Sequence, residues 1–221
     1  MKFFRLLSSF PSALACGASV FLFLSACTAA PIPTLPVADS GDILFQDKFE
    51  NNSTGWDRVS NNNGIMDYDL GGYRILVQQP AMNFWATPNR NFRDVRVEAD
   101  VTRLNGPEEN RSGLICRYQK ADYYFFIISS DGFYAIGKFI GGNTILLGQS
   151  EMQASEFIQT GSMNHLRADC IGDTLTFFVN FNEVASAQDT DFPSGDVGLL
   201  AGSFSESGVD VSFDNFVVMQ P

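Results

Sequence analysis

The stretch Asp94-Val95-Arg96-Val97-Glu98-Ala99-Asp100-Val101-Thr102-Arg103 alternates without a break, with Val95, Val97, Ala99 and Val101 on one face and Arg96, Glu98, Asp100 and Thr102 on the other. A period of two is the strand signature, and one apolar face opposite one charged face marks a strand of an antiparallel sheet packed on a core from one side. The same period runs outward along Tyr73 to Val77, Leu114 to Tyr118, Tyr123 to Ser129, Tyr134 to Phe139 and Thr144 to Gly148. It continues through His165 to Ile171, Thr174 to Asn180, Val184 to Gln188, Val197 to Ala201 and Val209 to Val218. Turn signals separate these runs, among them Gly71-Gly72, Asp131-Gly132, Gly141-Gly142 and Gly172-Asp173. Glu151 to Ile158 is the best candidate for a short helix. Many short strands joined by tight turns predict an all-β, two-sheet antiparallel sandwich over residues 42–221.

Strand period also places the cysteines. Leu114, Cys116 and Tyr118 share one face with Arg117 opposite, and Leu166, Ala168 and Cys170 share one face opposite His165, Arg167 and Asp169. Both thiols then point toward the core, which predicts a Cys116–Cys170 disulfide; two buried, unpaired thiols are the alternative. Along the last strand the apolar set Val209, Val211, Phe213 gives way to Phe216, Val218, a switch that predicts a bulge at Asp214-Asn215.

At the N-terminus, Lys2 and Arg5 precede a short apolar run from Ala13 that closes on Leu24-Ser25-Ala26-Cys27. This segment resembles a bacterial lipoprotein signal, and it is too short for a bilayer span. The resemblance implies removal of residues 1–26, lipid (palmitate among the acyl groups) on Cys27, and a protein anchored to a membrane without crossing it. The location implied is extracytoplasmic, at the cell membrane or the outer membrane, and Thr28 is not the aspartate that signals inner-membrane retention. Residues 27–41, with Pro31, Pro33 and Pro36, read as an extended linker. Without Lys2 and Arg5 the chain keeps 12 of its 14 basic residues against 25 acidic ones, a net charge of −13. Such acidity excludes nucleic acid as a partner, because phosphate neutralisation supplies most of that affinity. It also leaves the lipid as the only membrane attachment.

Across residues 42–218 the order of Asp47-Lys48-Phe49, Gly55-Trp56, Gly113 to Tyr118, Tyr124-Phe125-Phe126, Asp131-Gly132, Gly195-Asp196-Val197-Gly198-Leu199 and Phe213-Asp214-Asn215-Phe216 resembles the concanavalin-like jelly-roll superfamily. Within it, the chain is similar to laminin-G-like and 3-keto-disaccharide hydrolase-like domains. Such domains often turn a late hairpin on Asn-Gly, whereas Asn180 is followed here by Phe181 and Asn182, which predicts a longer hairpin loop. The resemblance implies carbohydrate binding without catalysis, glycoside processing of the 3-keto-disaccharide hydrolase type, or a structural, adhesive role in the envelope. Fold does not choose among them.

Residues must choose. Glycoside hydrolysis needs two opposed carboxylates. Glu98 and Asp100 share a strand face as in the Glu-x-Asp opening of some jelly-roll glucanase strands, but Arg103 stands where a second glutamate is required. The competing reading is a face salt-bridged to Arg96 and Arg117. In Asn110-Arg111-Ser112-Gly113-Leu114-Ile115-Cys116-Arg117 only Ser-Gly and the final Arg match the hydrolase-like pattern, so the resemblance gives Arg117 the role of sugar-hydroxyl donor on a concave sheet. Trp85, Tyr124 and Tyr134 are candidate stacking platforms, with core packing as the alternative for each. No cofactor is required; calcium is a candidate ligand for Asp47, Glu50, Asn51 and Asp57 with Asp214. His165, the single histidine, cannot build a multi-histidine zinc site.

Overall fold

The computed structural model describes residues 40–221; the expected signal over residues 1–26, Cys27 and the expected linker up to residue 39 lie outside the described residues. Residues 40–221 form one compact unit, so a chain starting at Ala38 carries every described strand, the whole described core and the disulfide. The described chain is all strand and turn. In order the strands are β1 (Ile43–Asp47), β2 (Val59–Asn61), β3 (Gly64–Asp69), β4 (Gly72–Val77), β5 (Asn83–Ala86) and β6 (Val95–Asn105). Next come β7 (Asn110–Gln119), β8 (Asp122–Ile128), β9 (Phe133–Ile140), β10 (Asn143–Leu146) and β11 (Gln153–Ala154). The last are β12 (Asn164–Ile171), β13 (Thr174–Val179), β14 (Asn182–Gln188), β15 (Asp196–Ser203) and β16 (Val209–Met219).

They pair antiparallel in two sheets. A nine-stranded sheet runs β14-β13-β12-β6-β16-β4-β3-β2, with β1 on the second half of β16. A seven-stranded sheet runs β10-β9-β8-β7-β15-β5, with β11 beside β9. Strand β6 behaves as its alternation demands: Val95, Val97, Ala99 and Val101 are buried between the sheets, and Arg96, Glu98 and Asp100 face outward. Trp56 anchors the core beside the first strand, edge-on to Phe216 at 4.8 Å, with its Nε1 donating to Asp47 Oδ2 at 3.0 Å. The two sheets are joined covalently by Cys116–Cys170.

Among the register shifts in the ladders, two re-aim side chains that matter for the site. Along β16, Asp214 pairs with Asp100 but Val217 with Glu98, so one extra residue enters at Asn215, which is left-handed at φ 51°. The apolar face switches there from Phe213 to Phe216, as the sequence pattern predicts. The second bulge is on β7. Cys116 pairs with Tyr124 and Gln119 with Asp122, and Arg117 is left-handed at φ 55°. Gly195 makes room for it, since a Cβ at that position would lie 2.4 Å from the carbonyl carbon of Arg117. The simple alternation that put Tyr118 inside and Arg117 outside is therefore corrected. Arg117 is buried at 2% exposure, and Tyr118 joins the outer face.

Two further expectations are corrected. Glu151 to Ile158 is not helical; Gln153 and Ala154 add a short strand to β9 instead, a tertiary pairing that local composition does not encode. The β13–β14 hairpin turns on two residues, Asn180 and Phe181, rather than on a longer loop, with Val179 opposite Asn182. Both turn residues have positive φ, 48° and 68°, the type I′ geometry that matches strand twist. Phe181 accepts this strained position while stacking on the His165 ring at 4.7 Å.

The disulfide closes a separation of 54 residues, and its loss by Cys170→Ala is expected to destabilise the domain by about 4 kcal/mol in urea unfolding. Thiol labelling of denatured, unreduced protein should modify neither Cys116 nor Cys170.

Candidate functional site

The two outer faces of the sandwich differ in chemistry. On the nine-stranded sheet the outward side chains of β6, β12 and β16 are charged and satisfied by one another. Arg167 and Arg96 both fork onto Asp169, at 2.8 and 3.1 Å from Nε to Oδ1. Burial would raise the Asp169 carboxyl, but the two guanidiniums outweigh it and hold it below the usual range. Arg74 grips Asp210 with two bonds of 2.8 and 2.7 Å. Glu98 and Asp100 sit in this layer, but their partner is His165. Asp100 Oδ1 lies 2.8 Å from Nδ1 and Glu98 Oε2 lies 3.6 Å from Nε2. Asn215 Nδ2 donates to the other oxygen of Asp100 at 2.8 Å. The salt-bridged reading of this face thus needs correcting in its partners, because Arg96 is taken by Asp169 and Arg117 points between the sheets.

Arg117 is not a sugar donor on an open sheet. Its guanidinium donates to the carbonyls of Arg93, Phe192 and Cys170 at 3.0 to 3.3 Å and to Asp94 Oδ1 at 3.2 Å. Tyr124, the second correction, is fully buried. Its hydroxyl donates to Asp189 at 2.6 Å and accepts from the Phe192 N–H at 3.1 Å. Burial, reinforced by the Asp189 carboxylate, pushes its pKa up to about 12. Asp189 also holds Lys138, which bonds Asp191 at 2.7 Å. Tyr134 is half-buried against the core and borders a separate groove with Gln149, Gln153 and Ser186. Asp47 spends its carboxylate on Trp56, the Phe49 N–H at 2.7 Å and Thr54. Asp214 accepts the Asn215 N–H at 2.6 Å. Among the described residues no three His, Cys, Asp or Glu side chains converge as a metal site.

Trp85 does lie on an outward face, that of the seven-stranded sheet. This face is apolar: Ile115, Tyr123, Phe125, Ile127 and Leu200 form a second cluster separate from the core, flanked by Trp85, Tyr118, Phe139 and Met152. The rings run in series, Trp85 to Tyr123 at 5.7 Å and Tyr123 stacked on Phe139 at 5.5 Å. Over Tyr123, Phe125, Ile127 and Leu200 opens a groove of about 220 Å³, walled by Phe139, Leu146, Met152 and Phe204. Two polar groups close one end, Asn83 and Arg111, which flank Gly202 across β5, β15 and β7. Arg111 lies over the Phe204 ring at 4.1 Å and gives one bond, from Nη2 to the Ser203 carbonyl at 2.8 Å. Its Nε and the Asn83 Oδ1 are buried without partners. Burial draws the Arg111 pKa down.

Arg111, Tyr123, Phe139 and Met152 were not among the residues singled out in the sequence. For Tyr123 alone the sequence held a signal: Tyr123-Tyr124-Phe125-Phe126-Ile127-Ile128 is an unbroken apolar run, which marks a strand covered on both faces.

No protein-family model matches the chain, and comparison with curated proteins finds no match. Solved structures do share its fold. It is similar to the carbohydrate binding module CBM66 from Bacillus subtilis, at TM-score 0.61 and 20% identity over 76% of this chain and 97% of that one. A Bacillus subtilis protein of unknown function with a galectin-like fold gives TM-score 0.61 at 12% identity, covering 83% and 98%. The Bacillus licheniformis beta-glucanase gives 0.56 at 13%, covering 80% and 97%. The shared feature is the jelly-roll β-sandwich.

Two outcomes follow from the geometry. Arg117→Met takes a donor from the buried Phe192 and Cys170 carbonyls and from the part-buried Arg93 carbonyl, and leaves Asp94 without its cation, so it should cost about 3 to 5 kcal/mol in urea unfolding. Glu98, then Asp100, raise the His165 pKa above 6.5 against the effect of its burial. A group whose pKa rises on folding stabilises the fold fully below its unfolded pKa and loses that contribution as pH climbs through the folded value. Unfolding free energy should therefore fall as pH rises from below 6.5 through that raised value, and His165→Gln should flatten this fall.

Proposed function

We propose that the sandwich is a non-catalytic binding module for carbohydrate, held outside the cytoplasm by lipid on Cys27. The observation that carries the reading is the aromatic outer face of the seven-stranded sheet, where the half-buried Trp85 packs beside Tyr118 and Tyr123. Aromatic faces offer a broad apolar surface to the C–H side of a sugar ring, and a sheet holds them in fixed positions. The named fold neighbours include a carbohydrate binding module and a beta-glucanase, which supports sugar as the ligand class. Carboxylate placement favours binding over hydrolysis. Glu98 and Asp100 lie on the outer face of the other sheet and are engaged by His165 and Asn215, while the residues lining the groove at Trp85, among them Asn61, Asn63 and Asn83, include no carboxylate. Hydrolysis would call for two carboxyl groups facing each other about 5 to 9 Å apart across the bond to be broken.

A glycan array probed with the chain from Ala38 tests the reading. Binding to a defined glycan class is expected, weakened by about tenfold or more in Trp85→Ala, as for loss of an aromatic anchor worth over 1.4 kcal/mol. An array without binding, or binding indifferent to Trp85, would remove the support. Export of the intact protein with labelled fatty acid should label the wild type and leave Cys27→Ser unlabelled.

A further inference from the structure

The groove beside Trp85 has a chemistry of its own. Its floor and walls are mainly carbon, with Tyr123 and Thr144 the hydroxyl-bearing residues among them, and a sugar sunk into it would lose water from hydroxyls that find few partners there, a cost of roughly 1 to 3 kcal/mol for each unpaired group. The floor instead favours an apolar body, each square ångström of which contributes about 25 cal/mol on leaving water.

One end carries a charge that the rest of the molecule does not answer. The chain has 25 acidic residues against 14 basic ones. Arg58, Arg74, Arg96, Arg103, Arg117 and Arg167 each have a carboxylate within 4 Å. Among the described residues no carboxylate pairs with Arg111, although its guanidinium is the one set against the apolar groove. Its single protein bond leaves Nε and Nη1 unused, and Nε has no access to water. A largely desolvated cation with free donors is costly to maintain, and an anion supplied from outside removes that cost. Asn83, in register across Gly202, has an equally unanswered Oδ1. Turned by half a revolution, its amide presents Nδ2 at that position and donates to an incoming oxygen.

We propose that this groove binds a compact carboxylate with an aliphatic or aromatic body, the body lying over Tyr123, Phe125, Ile127 and Leu200 and the carboxylate accepting from Arg111 and Asn83. Planar guanidinium and carboxylate match bidentately, and seclusion from water strengthens the pair. The carboxylate is the feature recognised, so the corresponding alcohol, with the same body, binds more weakly. This site stands independently of glycan binding at Trp85: an array with no hits leaves it intact, and its own failure leaves the glycan reading intact.

Calorimetric titration of the chain from Ala38 with octanoate and with octanol tests it. Saturable one-site binding of octanoate is expected, at least about tenfold tighter than octanol, the difference of about 1.4 kcal/mol that a charge-assisted pair supplies. Arg111→Gln should erase that preference by weakening octanoate at least about tenfold, and Met152→Trp, which fills the groove, should abolish binding of both. No saturable octanoate binding, equal affinity for acid and alcohol in the wild type, or octanoate binding that survives Met152→Trp overturns the proposal. So does octanoate binding unaffected by Arg111→Gln in a protein that melts like wild type. Should Arg111→Gln fail to fold, the wild-type comparison of acid with alcohol decides alone.

Discussion

At Arg117 the chain takes up a left-handed backbone conformation, and that one residue sets the geometry of both sides of the seven-stranded sheet. Before it, Leu114 and Cys116 face the core and Ile115 faces out; after it, Tyr118 faces out as well. The extra residue turns the guanidinium into the sandwich, where it bonds the Cys170 carbonyl on the opposite sheet. Cys170 is also the covalent partner of Cys116, one residue before Arg117. Covalent and hydrogen-bonded ties between the sheets therefore meet where the strand breaks register. A buried guanidinium is tolerated only with its donors occupied, and here three carbonyls and Asp94 occupy them.

The same break supplies the outer face. Tyr118 joins Trp85 and Tyr123 because the bulge reverses its direction, which extends the aromatic series across β5, β7 and β8. The seven-stranded sheet is thus apolar on both sides, whereas the nine-stranded sheet is apolar within and charged without. That asymmetry separates two kinds of polar group. Charges on the nine-stranded sheet neutralise one another through Asp169, Asp210 and the carboxylates about His165. Arg111, on the apolar side, is left with a backbone carbonyl and a ring.

Much of the fold was legible in the alternation of β6, β12 and β16, since a half-buried strand writes its two environments into neighbouring residues. The disulfide and the Asp214-Asn215 bulge were legible for the same reason. The bulge at Arg117 was not, because Gly113 to Tyr118 fits simple alternation and only the approach of Gly195 reveals the extra residue. Tyr118 and Arg117 were accordingly placed in the wrong environments. The groove was legible only as the unbroken apolar run of β8, which shows that both faces are covered without showing which side chains meet across strands.

The sequence by itself determined the fold class, the cross-link and the acidic balance of the chain, because each depends on residue type at fixed spacing. It also carries the segment ending at Cys27 on which the proposed lipid anchor rests. Tertiary structure alone decided which arginine is spent in the core and which is left facing a cavity. Arg111 and Arg117 sit six positions apart on one strand, where the period of two assigns them the same face. One left-handed residue between sheets separates them, and backbone conformation at a single position is a product of packing from strands distant in sequence.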